Sequence, residues 1–220
     1  MNRTYKTLRT CVSAAGLAAL SIGIVGVPAL APLTPAVAQS SGSLDQVVEA
    51  LRGISTLKAN FTQTDRSGQS VSGVLTLKRP GRIRFQYQKG VPMLIVGDGK
   101  ALTLVDYEVK QVQRWPIGNS PLGAILDPKR DVRTFGTLRP TGNPNVISVE
   151  VRDRRHPEYG VITLIFTRKA SAPGGLELSH WVALDSQNKR TTVQLSGHQY
   201  GIAVPDSAFR WNDPRPRIRR

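Results

Sequence analysis

Apolar residues in the first part of the chain recur at a spacing typical of an amphipathic helix. The recurring positions are Leu44, Val47, Val48, Leu51 and Ile54, and Ser43 before them is suited to cap a helix. From Leu57 onward the spacing changes to strict alternation of apolar and polar residues, which is typical of half-buried strands. The pattern therefore predicts one helix that lays an apolar face on a sheet.

Ten segments are predicted as strands, among them Met93–Val96 as a short, wholly apolar one, and short turns such as Pro80-Gly81 and Gly97-Asp98-Gly99 separate many of them. Connections this short join antiparallel strands, because parallel crossovers need a dozen or more residues. The predicted strands are Leu57–Gln63, Val71–Lys78, Arg82–Tyr87, Met93–Val96, Ala101–Val105, Val109–Trp115, Asn145–Val151, Val161–Thr167, Leu176–Leu184 and Thr191–Leu195.

The middle of the chain interrupts the strand pattern. Ser120-Pro121 places a cap and a first-turn proline before Leu122, Ile125 and Leu126, and Pro128 ends this short helix. A second short helical turn is predicted over Asp131–Phe135. The fold class is therefore α+β, with one large curled antiparallel sheet.

The N-terminus has the layout of a cleavable secretory signal. Arg3, Lys6 and Arg9 precede an apolar run, Val12–Val27, and the tripeptide Ala36-Val37-Ala38 follows. The alternative is an uncleaved anchor, but the run falls short of the roughly 18 apolar residues of a spanning helix. We expect a signal peptide over residues 1–38, a flexible leader over Gln39–Ser43, a single domain over residues 39–212, and a basic, disordered tail over residues 213–220.

Cysteine content and charge narrow the possible partners. The single cysteine, Cys11, lies in the predicted signal, so the mature chain has no thiol for a disulfide, a metal site or a nucleophile. The formal net charge is +15. In an exported protein the available polyanions are anionic lipid head groups and acidic protein surfaces. The basic residues lack the aromatic interleaving of a single-strand binding platform, so we predict no nucleic-acid partner.

No pattern in the sequence indicates an enzyme. His156, His180 and His198 fall in different predicted elements, without metal-ligand spacing. There is no nucleophile elbow, and Gly97-Asp98-Gly99-Lys100 is a hairpin turn rather than a phosphate loop because no Ser or Thr follows the lysine. We predict no catalytic residue, no metal and no cofactor.

Apolar rows along the strands are the positive signal. They include Leu75, Leu77, Ile83, Phe85, Leu102, Leu104, Ile162, Leu164, Phe166 and Trp181. These residues either pack on the first helix as an ordinary core or line an apolar cavity, and periodicity alone does not distinguish the two.

Four motifs resemble a known family in their order and spacing. They are Phe61-Thr62-Gln63, then Leu75-Thr76-Leu77-Lys78-Arg79-Pro80-Gly81-Arg82-Ile83-Arg84-Phe85, then Ile95-Val96-Gly97-Asp98-Gly99-Lys100 with Tyr107-Glu108-Val109-Lys110-Gln111-Val112, and finally Asn119-Ser120-Pro121-Leu122. Together they are similar to the periplasmic outer-membrane lipoprotein carriers, the LolA family. The resemblance covers nearly all of the predicted mature chain.

The resemblance implies an unclosed β-barrel in the periplasm, with an apolar cavity under a short helical lid. It implies a monomeric carrier of triacylated lipoproteins, which an inner-membrane ATP-driven complex releases and an outer-membrane acceptor receives. The implied acyl-chain site comprises Leu75, Leu77, Ile83, Phe85, Leu94, Val96, Leu102, Leu104, Trp115, Ile162, Leu164, Phe166 and Trp181. Leu122, Ile125 and Leu126 would form the lid, and Arg79 would latch it in the unloaded form.

Two other functions remain open from the sequence. The same fold serves periplasmic lipid or stress sensors that regulate a membrane-anchored partner, and a β domain with a solid core would bind no ligand. The chain also departs from the family at two points. Only 6% of its residues are aromatic, so cavity positions such as Ile83 are aliphatic, and its C-terminus is rich in Arg and Pro.

Overall fold

A computed structural model describes residues 36–118, 120–127 and 129–216, with side chains from Ser43 onward. The helices are α1 (Ala36–Gly53) and α2 (Pro121–Leu126), with short 3₁₀ turns at Val132–Thr134, Pro157–Tyr159, Pro173–Gly175 and Asp206–Phe209. The strands are β1 (Thr56–Thr64), β2 (Ser70–Lys78), β3 (Arg82–Tyr87), β4 (Met93–Asp98), β5 (Ala101–Asp106), β6 (Gln111–Pro116), β7 (Gly136–Arg139), β8 (Val146–Arg152), β9 (Val161–Arg168), β10 (Leu176–Leu184) and β11 (Arg190–Tyr200).

The strands form a single antiparallel sheet in the order β6-β5-β4-β3-β2-β1-β11-β10-β9-β8-β7. The first six strands form one meander and the last five another, and β1 joins the two by pairing with β11. Strands β6 and β7 are the two edges and do not pair with each other, so the sheet is not closed. The predicted α+β class with an unclosed antiparallel sheet is confirmed.

Helix α1 is longer than predicted at its N-terminus. The segment Gln39–Ser43, predicted as a flexible leader, has helical backbone, in a helix that begins at Ala36. Its serines and Gly42 are poor helix formers, so the sequence pattern did not indicate this extension. The apolar face of α1 covers part of the sheet. Val47, Val48 and Leu51 pack with residues of β8, β9 and β10 in a filled core.

The sequence pattern missed one strand and shortened another. Strand β7 has only four residues, Gly136–Arg139, and a single large apolar side chain, so it carries no alternation to detect. Strand β11 continues past Leu195 to Tyr200, where polar residues and Gly197 break the pattern. Strand β6 begins at Gln111, and Val109 lies in the preceding turn.

The pairing register sorts the strand residues into two faces of the sheet, because directly opposed residues in antiparallel strands point the same way. One inner row runs through Ala59, Leu75, Phe85, Ile95 and Leu104. A second inner row runs through Leu57, Leu77, Ile83, Gly97, Leu102 and Trp115. The intervening residues face outward.

A C-terminal strap, residues 202–212, crosses the outer face of the sheet. Lys78 Nζ donates to Val204 O at 2.8 Å and pairs with Asp206 at 2.7 Å, while Arg84 Nη1 donates to Arg210 O at 2.9 Å. Phe209 and Trp211 of the strap line a groove together with Val96 and Thr103 of the outer face.

The connection from β6 to β7 spans the two edges of the open sheet. Residues 117–135 leave one edge, form α2 and the turn Val132–Thr134, and join the opposite edge at Gly136. This crossover places α2 over the inner face, as the predicted lid requires.

In the described part of the chain, no helix combines the length and apolar character needed to cross a bilayer. The predicted signal peptide lies outside the described residues except for Ala36–Ala38, the backbone of which begins α1. In the predicted tail, residues 213–216 form neither helix nor strand, Asp213 pairs with Arg215 at 2.6 Å, and residues 217–220 are outside the described range.

Candidate functional site

An apolar cavity of about 370 Å³ lies between the inner face of the sheet, α1 and α2. Of the described residues that line it, three are polar: Gln63, Arg79 and Thr191. A dry cavity of this composition favours hydrocarbon over water, because water inside it would find few hydrogen-bond partners.

The structure brings eight of the thirteen predicted wall residues to this cavity. They are Leu75, Leu77, Ile83, Phe85, Leu102, Ile162, Leu164 and Trp181. Their position is therefore as expected, while their contact with acyl chains stays a prediction.

Leu94 and Val96 do not line the cavity. Both side chains are buried on the outer face, since the inner-face residue of β4 that pairs with Phe85 is Ile95. Strand β4 is apolar on both faces: Ile95 faces inward, while Val96 faces outward and lines the groove beneath the strap. A strand buried on two faces shows no alternation, so the pattern could not identify its inner residues.

Leu104, Trp115 and Phe166 are also outside the cavity lining. Leu104 is on the inner face, one strand beyond Ile95 and nearer the open edge. Trp115, on edge strand β6, is 47% exposed. Phe166 is fully buried in the filled core beneath α1. Both interpretations of the apolar rows therefore apply, and they meet on β9, where Leu164 lines the cavity and Phe166 lies in the filled core.

Several lining residues were missing from the predicted site. They are Leu51 and Ile54 of α1, Ile95 of β4, Leu178 and Ala183 of β10, Val193 of β11, and the polar Gln63 and Thr191. The hairpin between β3 and β4 carried a usable signal, because its register pairs Phe85 with Ile95. The positions on β10 and β11 required the pairing of β1 with β11, which joins residues more than a hundred positions apart.

Aromatic side chains brace the wall of the cavity. The rings of Phe61 and Phe85 meet edge to face at 5.3 Å between centroids, and Phe85 meets Trp181 in the same way at 5.9 Å. Such pairs contribute beyond the area that they bury. Tyr87 donates its hydroxyl to Gln63 Oε1 at 2.8 Å, and burial raises the pKa of Tyr87 to about 12.

The lid helix α2 places the side chains of Leu122, Ile125 and Leu126 in the cavity wall, where the sequence predicted them. Ser120 caps its N-terminus by accepting from Gly123 N at 3.2 Å. Gly123 lies so close to the preceding loop that a Cβ there would meet Ile117 O at 2.2 Å.

Two bonds from the β2–β3 turn hold the C-terminal end of α2. Gly81 N donates to Leu126 O at 3.1 Å, and Arg79 Nη2 donates to Ile125 O at 2.8 Å. Gly81 adopts a φ of +72° and packs against Gly99, an arrangement that leaves no space for a side chain.

Arg79 is a poorly solvated cation. Burial lowers its pKa to about 10, and nearby Asp127 partly opposes this shift. No residue in the described part of the chain accepts a hydrogen bond from its buried Nε. Arg79 therefore contacts the end of α2 through the Ile125 carbonyl while incurring a desolvation cost, and its role as a latch stays a prediction.

The cavity, the lid and the sheet fall within one family match. Residues 52–212 match the model of the family described as outer membrane lipoprotein carrier protein LolA. The chain belongs to the LolA family. LolA proteins are periplasmic carriers of lipoproteins rather than enzymes, so the predicted family, the carrier class and the periplasmic localisation are confirmed.

Curated LolA relatives extend over most of the chain. An outer-membrane lipoprotein carrier protein of Dechloromonas aromatica is 28% identical over 79% of this chain and 85% of its own length. That of Neisseria meningitidis serogroup B is 27% identical over 85% of this chain and 91% of its own length. That of Nitrosospira multiformis is 30% identical over 79% of this chain and 84% of its own length.

Solved structures similar to this LolA chain are more distant. An uncharacterized conserved protein from Thermus thermophilus is 13% identical with a TM-score of 0.48, covering 83% of this chain and all of that one. A LolA-superfamily protein from Nitrosomonas europaea is 10% identical with a TM-score of 0.44, and the match covers 78% of this chain and 97% of that one. A chain of the MucA/MucB complex of Pseudomonas aeruginosa is 16% identical with a TM-score of 0.46, and the match covers 79% of this chain and 61% of that one.

Proposed function

We propose that this LolA protein binds the acyl chains of triacylated lipoproteins in the cavity under α2 and shuttles them across the periplasm. It receives them from an inner-membrane ATP-driven release complex and delivers them to an acceptor at the outer membrane. The observation that carries the proposal is the cavity itself, about 370 Å³ of space with an almost entirely apolar lining.

The free energy of acyl transfer explains why such a carrier needs partners. Each buried methylene contributes about 0.8 kcal/mol, so a triacylated anchor resists leaving a bilayer by tens of kcal/mol. The sequence carries no nucleotide-binding motif, so loading depends on a partner that consumes energy. The carrier has only to keep the chains from water and to release them again.

Competition between lid and cargo would couple loading to lid movement. Leu122, Ile125 and Leu126 occupy the wall of the empty cavity, and acyl chains displace them. Arg79 biases the protein toward the closed state by a hydrogen bond of about 1–3 kcal/mol, reduced by the cost of burying its charge. Loose aliphatic walls suit a site that must both bind and release.

The proposal includes export from the cytoplasm. Residues 1–38 act as a signal peptide that is removed after Ala38, and residues 39–212 form the mature carrier domain. Mass spectrometry of protein recovered from the periplasm checks this step, because cleavage elsewhere gives a different N-terminal peptide.

Displacement of a fluorescent fatty acid tests binding in the cavity. Ile95→Trp adds bulk to the wall, whereas Leu104→Trp adds the same bulk to its cross-strand neighbour outside the cavity. We expect saturable binding by the unmodified protein, at least about tenfold weaker binding by Ile95→Trp, and a change of less than about threefold for Leu104→Trp. Absence of saturable binding by the unmodified protein would exclude the function.

Transfer distinguishes a carrier from a sensor. Protein isolated from the periplasm without detergent should contain acylated lipoproteins, and it should pass them to outer-membrane vesicles. Recovery of a membrane-anchored regulator in place of lipoproteins would favour the sensor.

A further inference from the structure

A slot lies beside the lid, between the end of edge strand β6 on one side and the adjoining ends of β9 and β10 on the other. One side of this edge slot is formed by Trp115, Pro116 and Pro121, and the other by Tyr159, Val161 and Leu184. Its volume is about 300 Å³, close to that of the main cavity. The slot borders β6, an edge strand with no strand paired beyond it.

The edge slot adjoins the cavity. Leu102, Leu122, Ile162 and Ala183 line both spaces. Leu122 belongs to the first turn of α2, so a small movement at the N-terminal end of the lid would join the two volumes. The shared residues are apolar, and a hydrocarbon chain could pass without meeting a charged group among them.

The outer rim of the slot carries two exposed aromatic side chains. Trp115 is 47% exposed and Tyr159 is 43% exposed, and they stand on opposite sides. Trp and Tyr combine an apolar ring with a polar group, which suits the boundary between hydrocarbon and water. Such a rim fits the region of an acylated cargo where the acyl chains join the polar glyceryl group.

The opposite end of the lid is closed. Gly81 N and Arg79 Nη2 both donate to the last carbonyls of α2. The crevice between α1 and this end of the lid, lined by Arg52, Ala124 and Arg130, encloses only about 10 Å³. An acyl chain therefore finds thirty times more space at the slot than between the helices.

We propose that the edge slot is the passage for acyl chains and the seat of the glyceryl group of the cargo. This inference rests on the proposed carrier function and adds the route. During passage the N-terminal end of α2 yields first, at Leu122, because the bonds from Arg79 and Gly81 hold its C-terminal end.

Reversible crosslinking tests the route. In a Cys11→Ser background, Trp115→Cys and Tyr159→Cys are bridged with a bis-methanethiosulfonate reagent, and Pro116→Cys with Leu184→Cys provides a second bridge over the same slot. Arg52→Cys with Arg130→Cys is the matched control across the closed crevice. Mass spectrometry verifies each bridge, and a reductant removes it in the same sample.

Stopped-flow uptake and release of a fluorescent fatty acid are the readouts. We expect a bridge over the slot to slow both rates by at least about tenfold and to change the equilibrium affinity little, with full recovery after reduction. The control bridge should leave both rates unchanged. These results would show that the slot limits the rate while the cavity sets the affinity.

Two contrary results have different meanings. Saturable binding with unchanged rates under both slot bridges, or slowing by the control bridge instead, overturns the route and leaves the carrier function intact. Lack of saturable binding in the unbridged protein overturns the carrier function itself.

Discussion

Lys78 and Arg79 are consecutive residues that anchor opposite faces of the same hairpin. Lys78 bonds the C-terminal strap on the outer face, through Val204 O and Asp206, whereas Arg79 bonds the lid through Ile125 O. The β2–β3 turn is thus held from both sides. Movement of the lid is opposed by a turn that the strap also fixes.

Replacing Arg79 with leucine should loosen the lid. The substitution removes the bond to Ile125 O, and it also removes a buried charge, so the free energy of unfolding should change by less than about 2 kcal/mol. The amide of Gly81, which donates to Leu126 O, should exchange faster with deuterium. Onward transfer of bound lipoprotein should slow, because the loosened lid no longer competes with the cargo.

Arg66→Leu is the matched control for this substitution, since Arg66 is an exposed arginine in the β1–β2 turn, away from the lid. Unchanged exchange at Gly81 in Arg79→Leu, together with normal transfer, would show that Arg79 is not a latch.

Neutralising Asp206 should release the strap without unfolding the sheet. Hydrogen bonds from Arg82 and then Lys78 lower the pKa of Asp206 from its ordinary 3.8 to about 2. Stabilisation from a carboxylate with a lowered pKa is complete above the ordinary value and is lost as the pH falls through about 2. Asp206→Asn should therefore reproduce at neutral pH the strap mobility that the unmodified protein shows only in strong acid.

Limited proteolysis at Arg210 measures this release at neutral pH. Asp213→Asn is the control. Asp213 is also exposed and its pKa is also about 2, but its ionic partner, Arg215, is only two residues away, so this pair does not attach the strap to the sheet. Equal cleavage of the two variants would argue against an ionic anchor at Asp206.

Local patterns were sufficient to predict most of the sheet and the lid. Alternation defined the long strands, and the Ser120-Pro121 signal located α2 because capping depends on neighbouring residues alone. The wall residues Phe85 and Leu102 followed from the same alternation. These features depend on interactions within a hairpin or a single helical turn.

The features that the sequence did not predict depend on contacts between distant segments of the chain. Leu94 and Val96 were assigned to the cavity because an apolar strand gives no sign of which face is inside, and a strap more than a hundred residues later lies over the outer face. Phe166 was assigned there because the alternation along β9 is the same where the strand lines the cavity, at Leu164, and where it is covered by the filled core, at Phe166. The packing of α1 on that core is a contact between distant segments.

Alanine substitutions at Phe166 and Trp181 should separate stability from binding. Phe166 is fully buried in the core beneath α1, so Phe166→Ala should lower the free energy of unfolding by about 3–5 kcal/mol. Trp181 lines the cavity and is partly exposed, so Trp181→Ala should cost less stability but weaken fatty-acid binding about tenfold, or 1.4 kcal/mol. Denaturant titration and ligand displacement measure the two effects. Equal losses of affinity in both variants would contradict the placement of Phe166 in the filled core and Trp181 in the cavity wall.

Gly123→Ala should open the lid without replacing a residue that lines the cavity. Alanine favours a helix over glycine by about 1 kcal/mol, yet the added Cβ would lie 2.2 Å from Ile117 O and 3.0 Å from Gly118 O. Both contacts are with backbone, so α2 must move as a unit, and the bond from Gly81 N to Leu126 O should weaken with it. Faster exchange of the Gly81 amide and faster displacement of bound fatty acid are the expected results.

Gly118→Ala adds the same methyl group to the same loop, where nothing lies within 4 Å, and it should leave both rates unaltered. If Gly123→Ala behaved like Gly118→Ala, close seating of α2 on the preceding loop would not be what keeps the lid shut, and the bonds from the β2–β3 turn would have to hold it alone.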